Sequence, residues 1–297
     1  MGAQLRVYRQ KIKATQSMGK LFNAMELIAT SRIPKARKRV ASAEPYAKAI
    51  TAAVASVAQH SSVEHPLTTH AEDIKRVALL VIASDRGMAG AYSSNVLKKS
   101  ESVRDEFLAQ GIKVDLYLYG RKSEAFYNYR EIPFIKSWTG HSDHPHHDEA
   151  KAIAKTLTAT FLKDSDQGGV DALYIISTEF KSMVEQIPVS VSLLPAPFEE
   201  EENTEGQLTP SYDFEPSAEE VLDAMLPRYI ESKVFNAILQ SSASELASRQ
   251  AAMKTATENA DELVKKYTRL ANTARQAEIT QELSEIVAGA DALSSGS

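Results

Sequence analysis

The sequence predicts an α/β fold plus a long antiparallel coiled coil, with N- and C-terminal helices forming a rod and a small Rossmann-like domain in the middle. Three observations carry this. Both ends hold an apolar period of 3.5 residues over many heptads. The middle opens on a near-continuous apolar run, Arg76-Val-Ala-Leu-Leu-Val-Ile-Ala-Ser84. Helical and strand patterns then alternate until an acidic, proline-bounded stretch.

The first arm is read over residues 3–57, where Gly19 is the only glycine. One seam position falls on Leu5, Ile12, Gly19, Glu26, Ile33, Val40, Ala47 and Val54. The other falls on Tyr8, Thr15, Phe22, Ala29, Ala36, Ala43, Ile50 and Val57. Thirteen of these sixteen are apolar. Pro34 and Pro45 each remove one backbone donor and are expected to bend the helix locally. The second arm starts near Ser217, an N-cap residue with Glu219 and Glu220 behind it, and runs to about Ala288. Its seams read Leu239, Leu246, Met253, Ala260, Tyr267, Ala274 and Ser242, Arg249, Ala256, Leu263, Leu270, Ala277. Pro227 is expected to kink its early part.

Such arms would be roughly 80 and 105 Å long at 1.5 Å per residue. A compact chain of this size has a radius of gyration near ~19 Å, so neither arm fits inside one. They are expected to project and to wind around each other. Small seam residues such as Ala29, Ala36, Ala256 and Ala260 permit close approach but bury little apolar area, which points to an enclosing partner.

In the middle, Arg76–Ser84 reads as a strand buried on both faces. A helix is expected over about 94–110, a strand over Lys113–Tyr119, and helices over 122–129 and 148–163. Ala172–Ser177 reads as a third strand and Met183–Leu194 as a fourth. These βα steps predict right-handed crossovers. The expected divisions are residues 1–60 (N-terminal helix), 74–196 (Rossmann-like domain), 197–216 (acidic connector with Glu199–Glu202) and 217–293 (C-terminal helix).

Composition excludes several classes. The 297 residues contain no Cys, so disulfide scaffolds, thiolate metal sites and thiol nucleophiles are excluded. No apolar run approaches the ~18 residues of a spanning helix. The basic N-terminus lacks an apolar signal-peptide core, and Arg6 stands where a myristoylation motif wants Ser or Thr. The net charge of −5 conceals an asymmetry. Residues 1–57 carry 11 Lys+Arg against Glu26 and Glu44, whereas residues 58–216 carry 15 against 25 acids. A basic arm on an acidic chain calls for an acidic neighbour.

Three segments are candidates for chemistry. Ser84-Asp-Arg-Gly87-Met-Ala-Gly90 follows the first strand, where a glycine turn can cradle phosphate. Its spacing is G-x-x-G, without the dinucleotide or Walker pattern, and the plainer reading is a tight turn. His141-Ser-Asp-His144-Pro-His146-His147 could hold a divalent metal. The plainer reading is a surface loop whose imidazoles titrate near neutrality. Arg32-Ile-Pro-Lys35-Ala-Arg37-Lys38-Arg39 could grip phosphates. It lacks aromatic interleaving and any nucleic-acid motif, which favours a basic face meeting acidic protein partners. No cofactor site and no nucleic-acid site are expected.

The C-terminal arm carries the sharpest pattern: Ala274-Arg-Gln-Ala277-Glu-Ile279-Thr280-Gln-Glu282-Leu-Ser-Glu285-Ile-Val-Ala-Gly289-Ala290. This resembles the signature of the gamma subunit of the F-type ATP synthase. The likeness extends to Leu226-Pro-Arg228-Tyr229, Met253-Lys254-x-Ala256-Thr257, Ala24-Met25-x-x-Ile28-Ala29-Thr30-Ser31-Arg32, and the turn Ser84–Gly90 with Asn95. Met88-Ala89 replaces the usual Leu-Cys, Gly19-Lys-Leu-Phe replaces Lys-Ile-Thr-Lys, and the plastid redox insert is absent.

The resemblance implies a non-catalytic rotor shaft. It would couple ion-driven turning of the membrane c-ring to the cycling of beta catalytic sites, and would regulate ATPase activity and proton flow. Implied partners are the alpha and beta ring around the rod, epsilon and the c-ring at the foot, and delta in the same complex. The implied location is the cytoplasmic face of the bacterial membrane, peripherally. It assigns Arg275 and Gln276 to a catch loop on beta and Met25 to a beta lever, where a Lys would act as a drag. It assigns Ile286, Val287 and Leu293 to the bearing tip. The alternatives are a Rossmann-type nucleotide-dependent enzyme whose coiled-coil arms dimerise it, and a basic coiled-coil nucleic-acid protein.

Overall fold

The computed structural model describes residues 2–60, 65–69, 73–164, 167–196 and 215–294. Residues 197–214 of the expected connector, including Glu199–Glu202, lie outside the described residues. The elements are α1 Gly2–His60, β1 Arg76–Ile82, α2 Tyr92–Ala109, β2 Lys113–Tyr119, α3 Arg121–Tyr129, β3 Lys136–Trp138, α4 His147–Phe161, β4 Ala172–Phe180, β5 Gln186–Leu194 and α5 Ala218–Ser294. The chain divides into two compact units, one of Met1–Ala29 with Gln250–Ser297 and one of Thr30–Arg249. Both long helices contribute to both units.

In the first unit α1 and α5 pair antiparallel. Tyr8 stacks on Tyr267 at 6.5 Å between ring centroids, and the Lys11 ammonium lies over the same ring. Farther along α1, Gly19 faces Ala260. Every seam residue of α1 from Leu5 to Ala29 is less than fully exposed, with Ala29 buried. On α5 the first row holds: Ala260 is buried, and Tyr267 and Ala274 are half-buried. The second row holds at Ala256 and Leu270, both half-buried, and sits one residue later at two other positions. Val264, Ala271 and Glu278 turn inward, while Leu263 and Ala277 are exposed. Apolar residues occupy 263–264 and 270–271, so composition alone suits either row. At 263–264 the smaller Val is the one admitted, whereas at 270–271 both residues turn inward.

In the second unit the sheet order is β3-β2-β1-β4-β5. β1 is parallel to β2 and to β4, β2 is parallel to β3, and β4–β5 is an antiparallel pair. The fourth expected strand is thus a return edge and not a further βα step. The short β3 goes unpredicted. Strand alternation sorts the core into two faces. Ala78, Leu80, Ile82, Tyr117 and Tyr119 face α4 and the α1 and α5 segments carrying Val54, Leu226 and Ile230. Val77, Leu79, Val81, Leu116 and Leu118 face α2 and α3 through Val96, Val103 and Tyr127. The seam positions of α1 here, from Ile33 to Val57, are again all buried or half-buried.

The helices are continuous through Pro34, Pro45 and Pro227, so none of the three prolines ends its helix. All three prolines lie on exposed faces, where a missing backbone donor is answered by water. Ser217 caps α5, its Oγ accepting the Glu220 backbone N–H at 3.2 Å.

Candidate functional site

The sheet reverses its winding between β1 and β4, and this crevice at the strand carboxyl ends is where α/β folds bind ligands. Here the chain itself fills it. The β1 turn is held from within: Ser84 Oγ donates to the Arg86 carbonyl and shares a 2.6 Å hydrogen bond with Ser93 Oγ. Gly90 takes φ 57°, which its missing Cβ allows; Met88 also has positive φ (60°) and is exposed. Asp85 accepts backbone N–H groups from Arg121, Gly140 and Ser142 at 3.0, 2.9 and 2.8 Å, so one carboxylate ties three loops together.

From α5, buried Arg249 donates to Glu245 Oε1 at 2.6 Å and to the Arg86 and Gly87 carbonyls at 3.4 Å. Burial pushes the Glu245 carboxyl up from its ordinary range, and Arg249 pulls it back. Tyr92, buried and facing Glu245, has its phenol pushed up by burial first and that carboxylate second. Ser241 and Ser244 bond the Thr178 backbone of β4. Arg249 of α5 is thus packed against the glycine turn, with Glu245 buried beside it.

The basic run of α1 is docked on its own unit. Arg32 Nη1 lies 2.6 Å from Asp143 Oδ2, the Arg37 guanidinium covers the Phe180 ring, and Arg39 Nη2 meets His144 Nε2 at 2.9 Å. The four imidazoles of 141–147 go to separate partners. His141 is 3.8 Å from Glu149, His147 is 3.1 Å from Glu231, and His146 packs against His141 and His144. Among the described residues no three His, Cys, Asp or Glu side chains converge as metal ligands would.

The remaining sequence-selected residues lie in the helix pair of the first unit. Arg275 and Gln276 are adjacent and exposed on α5, and Met25 is half-buried on α1. Ile286 and Val287 are 67% and 58% exposed, values that leave most of their apolar area in water; the Leu293 side chain lies outside the described residues. Leu21, Leu27, Ile28, Leu263, Ile279 and Leu283 are also exposed. Between residues 2 and 25, α1 carries Arg6, Arg9, Lys11, Lys13 and Lys20 without an acid. Residues 263–277 of α5 carry Lys265, Lys266, Arg269 and Arg275 without one. None of these nine cations makes an ion pair among the described residues. No described helix is long and apolar enough to cross a membrane. Sequence reasoning missed the Arg249–Glu245 pair and the docking of Arg32 and Arg39, because their partners lie over a hundred residues away or looked like seam exceptions.

Comparison with known proteins follows the same outline. A family model described as ATP synthase matches residues 4–293. The ATP synthase gamma chain of Pseudarthrobacter chlorophenolicus is 58% identical over 99% of this chain and 100% of its own length. That of Renibacterium salmoninarum is 57% identical, covering 99% of each chain. Among solved structures, a chain of the Euglena gracilis mitochondrial ATP synthase matches all of this chain and 96% of its own. Its TM-score is 0.70 at 15% identity, a likeness of fold.

Proposed function

The chain belongs to the ATP synthase gamma-chain family, and from that premise we propose that it is the central shaft of an F-type ATP synthase. Its family is a non-catalytic subunit, and on that ground the chain is read as having no catalytic site of its own. The paired helices pass through a ring of alpha and beta subunits. Residues 74–196 are the foot that meets epsilon and the c-ring, reached through the connector 197–216. Ion flow turns the c-ring and the foot together, and the lopsided helix pair biases each beta site in turn.

One observation carries this reading: the first unit exposes large apolar side chains on both helices, Leu27 of α1 at 65% and, past the stretch of α5 that faces α1, Ile286 at 67%. Leu27 points away from α5 and Ile286 has no α1 residue opposite it, and an exposed apolar surface of this kind marks a protein interface. The nine acid-free cations suit acidic loops on the enclosing subunits. Arg275 offers a guanidinium fork and Gln276 an amide to a beta catch loop. Met25 meets a beta lever through an apolar thioether. Ile286, Val287 and Leu293 turn inside an apolar sleeve. The complex sits on the cytoplasmic face of the cell membrane, and the shaft regulates ATPase activity and ion flow.

The test is reconstitution with alpha and beta chains. The expected result is a stable complex in which a probe fixed to the foot rotates during ATP hydrolysis. A soluble monomer with no affinity for the alpha–beta ring overturns the reading.

A further inference from the structure

Polar residues of α5 recur as adjacent pairs at a helical spacing: Gln240-Ser241, Ser244-Glu245 and Ser248-Arg249. That spacing sets them along one face of the helix. The face meets the carboxyl-end rim of the sheet. β1 pairs with β4 only as far as Val81–Ile176. Beyond that point Ser241 Oγ accepts the Thr178 backbone N–H at 3.3 Å, and Ser244 Oγ donates to the Thr178 carbonyl at 3.4 Å. Gln240 Oε1 accepts the Phe180 backbone N–H at 3.2 Å. The helix thus continues the β4 ladder where β1 stops. Ser248 Oγ then donates to Gln186 Oε1 of β5 at 2.9 Å, and Arg249 reaches the β1 turn. Ser241, Ser244, Glu245 and Arg249 are buried. α1 is held differently, by the ends of three exposed side chains. Arg32 meets Asp143 at 2.6 Å, Arg39 meets His144 at 2.9 Å, and the Arg37 guanidinium lies 5.9 Å from the Phe180 ring centre.

We infer that the foot grips α5 as a spline and holds α1 by tethers, so that twist passes between foot and helix pair through α5. This rests on the rotor reading and adds which helix carries the load. Apolar packing lies under both helices, and being non-directional it resists separation more than turning. Directed hydrogen bonds resist turning. The serine hydroxyls are short, stiffly placed and buried, where low dielectric strengthens each bond. The arginines reach their partners on long flexible stems in solvent, where such contacts contribute little. Thr178 has its N–H and its carbonyl both committed to α5, so turning the helix against the sheet leaves a buried donor and a buried acceptor unpaired.

Hydrogen–deuterium exchange of the full-length chain at neutral pH tests the grip. In Ser241→Ala/Ser244→Ala the Thr178 amide is expected to exchange about three- to tenfold faster, the scale of one hydrogen bond. Gln240→Ala, at a half-buried position that keeps the fold, is expected to do the same at Phe180. Ser241→Thr/Ser244→Thr restores the hydroxyls and the wild-type rate, and Arg32→Ala/Arg39→Ala leaves both amides protected. The load is read in the complex with alpha and beta chains, from the thermal spread in angle of a probe fixed to the foot while the motor is paused. Loss of the α5 bonds is expected to widen that spread, and loss of the α1 tethers to leave it at wild-type width. Equal or greater widening in the arginine variant, wild-type width in both α5 variants, or unchanged exchange at Thr178 and Phe180 in those variants overturns the proposal. A wild-type complex whose probe never turns fails the rotor reading instead, and the exchange measurement still decides the grip.

Discussion

Gly19 of α1 and Ala260 of α5 meet across the helix pair so closely that a Cβ on Gly19 would stand 3.4 Å from the Ala260 Cβ. That is ordinary contact distance, so one methyl fits and anything larger does not. Gly19→Ala is expected to raise stability by up to about 1 kcal/mol, the helix-propensity difference. Gly19→Leu is expected to lower it by about 1–3 kcal/mol through overpacking. Circular dichroism melts of the two variants check both signs, and a Leu variant at least as stable as wild type contradicts the close approach.

Removing one member of the Arg249–Glu245 pair isolates the other. Arg249→Met is expected to cost about 3–5 kcal/mol at neutral pH, as for other broken buried pairs. The cost depends on pH with a definite sign. Burial already raises the Glu245 carboxyl, and without Arg249 it rises further. A raised carboxyl adds stability below its unfolded range and loses it as pH climbs through the folded value. The deficit of Arg249→Met is therefore smallest in acid and grows from the ordinary carboxylate range upward. Adding Glu245→Gln flattens that slope. Urea titrations between pH 4 and pH 8 read it, and equal deficits at both ends refute the argument.

This pair also marks where sequence patterns stop being informative. The α1 seam was legible residue by residue because its period is local: all sixteen positions from Leu5 to Val57 are turned at least partly inward. Strands β1 and β2 were legible from their apolar runs. The second α5 row was legible only in part: Ala256 and Leu270 turn inward as read, but Leu263 and Val264 satisfy hydrophobicity equally and geometry chose between them. Arg249 looked like a polar fault in an apolar seam; its reason is Glu245 one turn earlier and a turn over 160 residues upstream. The β5 direction depends on the connection Lys181–Glu185, which closes as a hairpin. The Arg39–His144 contact joins residues 105 apart, and no spacing rule reaches that far.

Gly120 ends β2 at a crossroads. Its N–H donates to the Trp138 carbonyl, and its φ is 93°. A Cβ there would come within 2.3 Å of the Ala83 carbonyl oxygen, a backbone atom that cannot swing away. Gly120→Ala is expected to cost about 2–4 kcal/mol from strain and clash together. Thermal unfolding monitored at Trp138, the single tryptophan, checks it. A melting temperature within a degree of wild type would show that the strand ends relax around the methyl.

A nucleotide site in the switch-point crevice would reveal itself by linkage. A ligand at a hundred times its dissociation constant adds about 2.7 kcal/mol of stability. With Glu245 and Arg249 packed beneath the glycine turn, NAD or ATP at millimolar concentration is expected to leave the melting temperature unmoved. A saturable upward shift, abolished by Gly87→Val, would restore the enzyme reading.

Arg275 and Gln276 separate partner contact from folding. Both are exposed on α5, so the double change to Ala is expected to alter the chain's own stability by no more than about 0.5 kcal/mol. The helix pair keeps its seam, because Ala271, Ala274 and Glu278 are untouched. What changes is the surface offered to an enclosing ring: one guanidinium fork and one amide vanish from a stretch with no other acid-seeking group until Arg269. Assembly with alpha and beta chains, or ATP-driven ion pumping by the complex, is expected to fall at least tenfold, the effect of about 1.4 kcal/mol. Pumping at the wild-type rate by the double variant would remove these two residues from the coupling contact, while a matching loss of helix content would assign them to the fold instead.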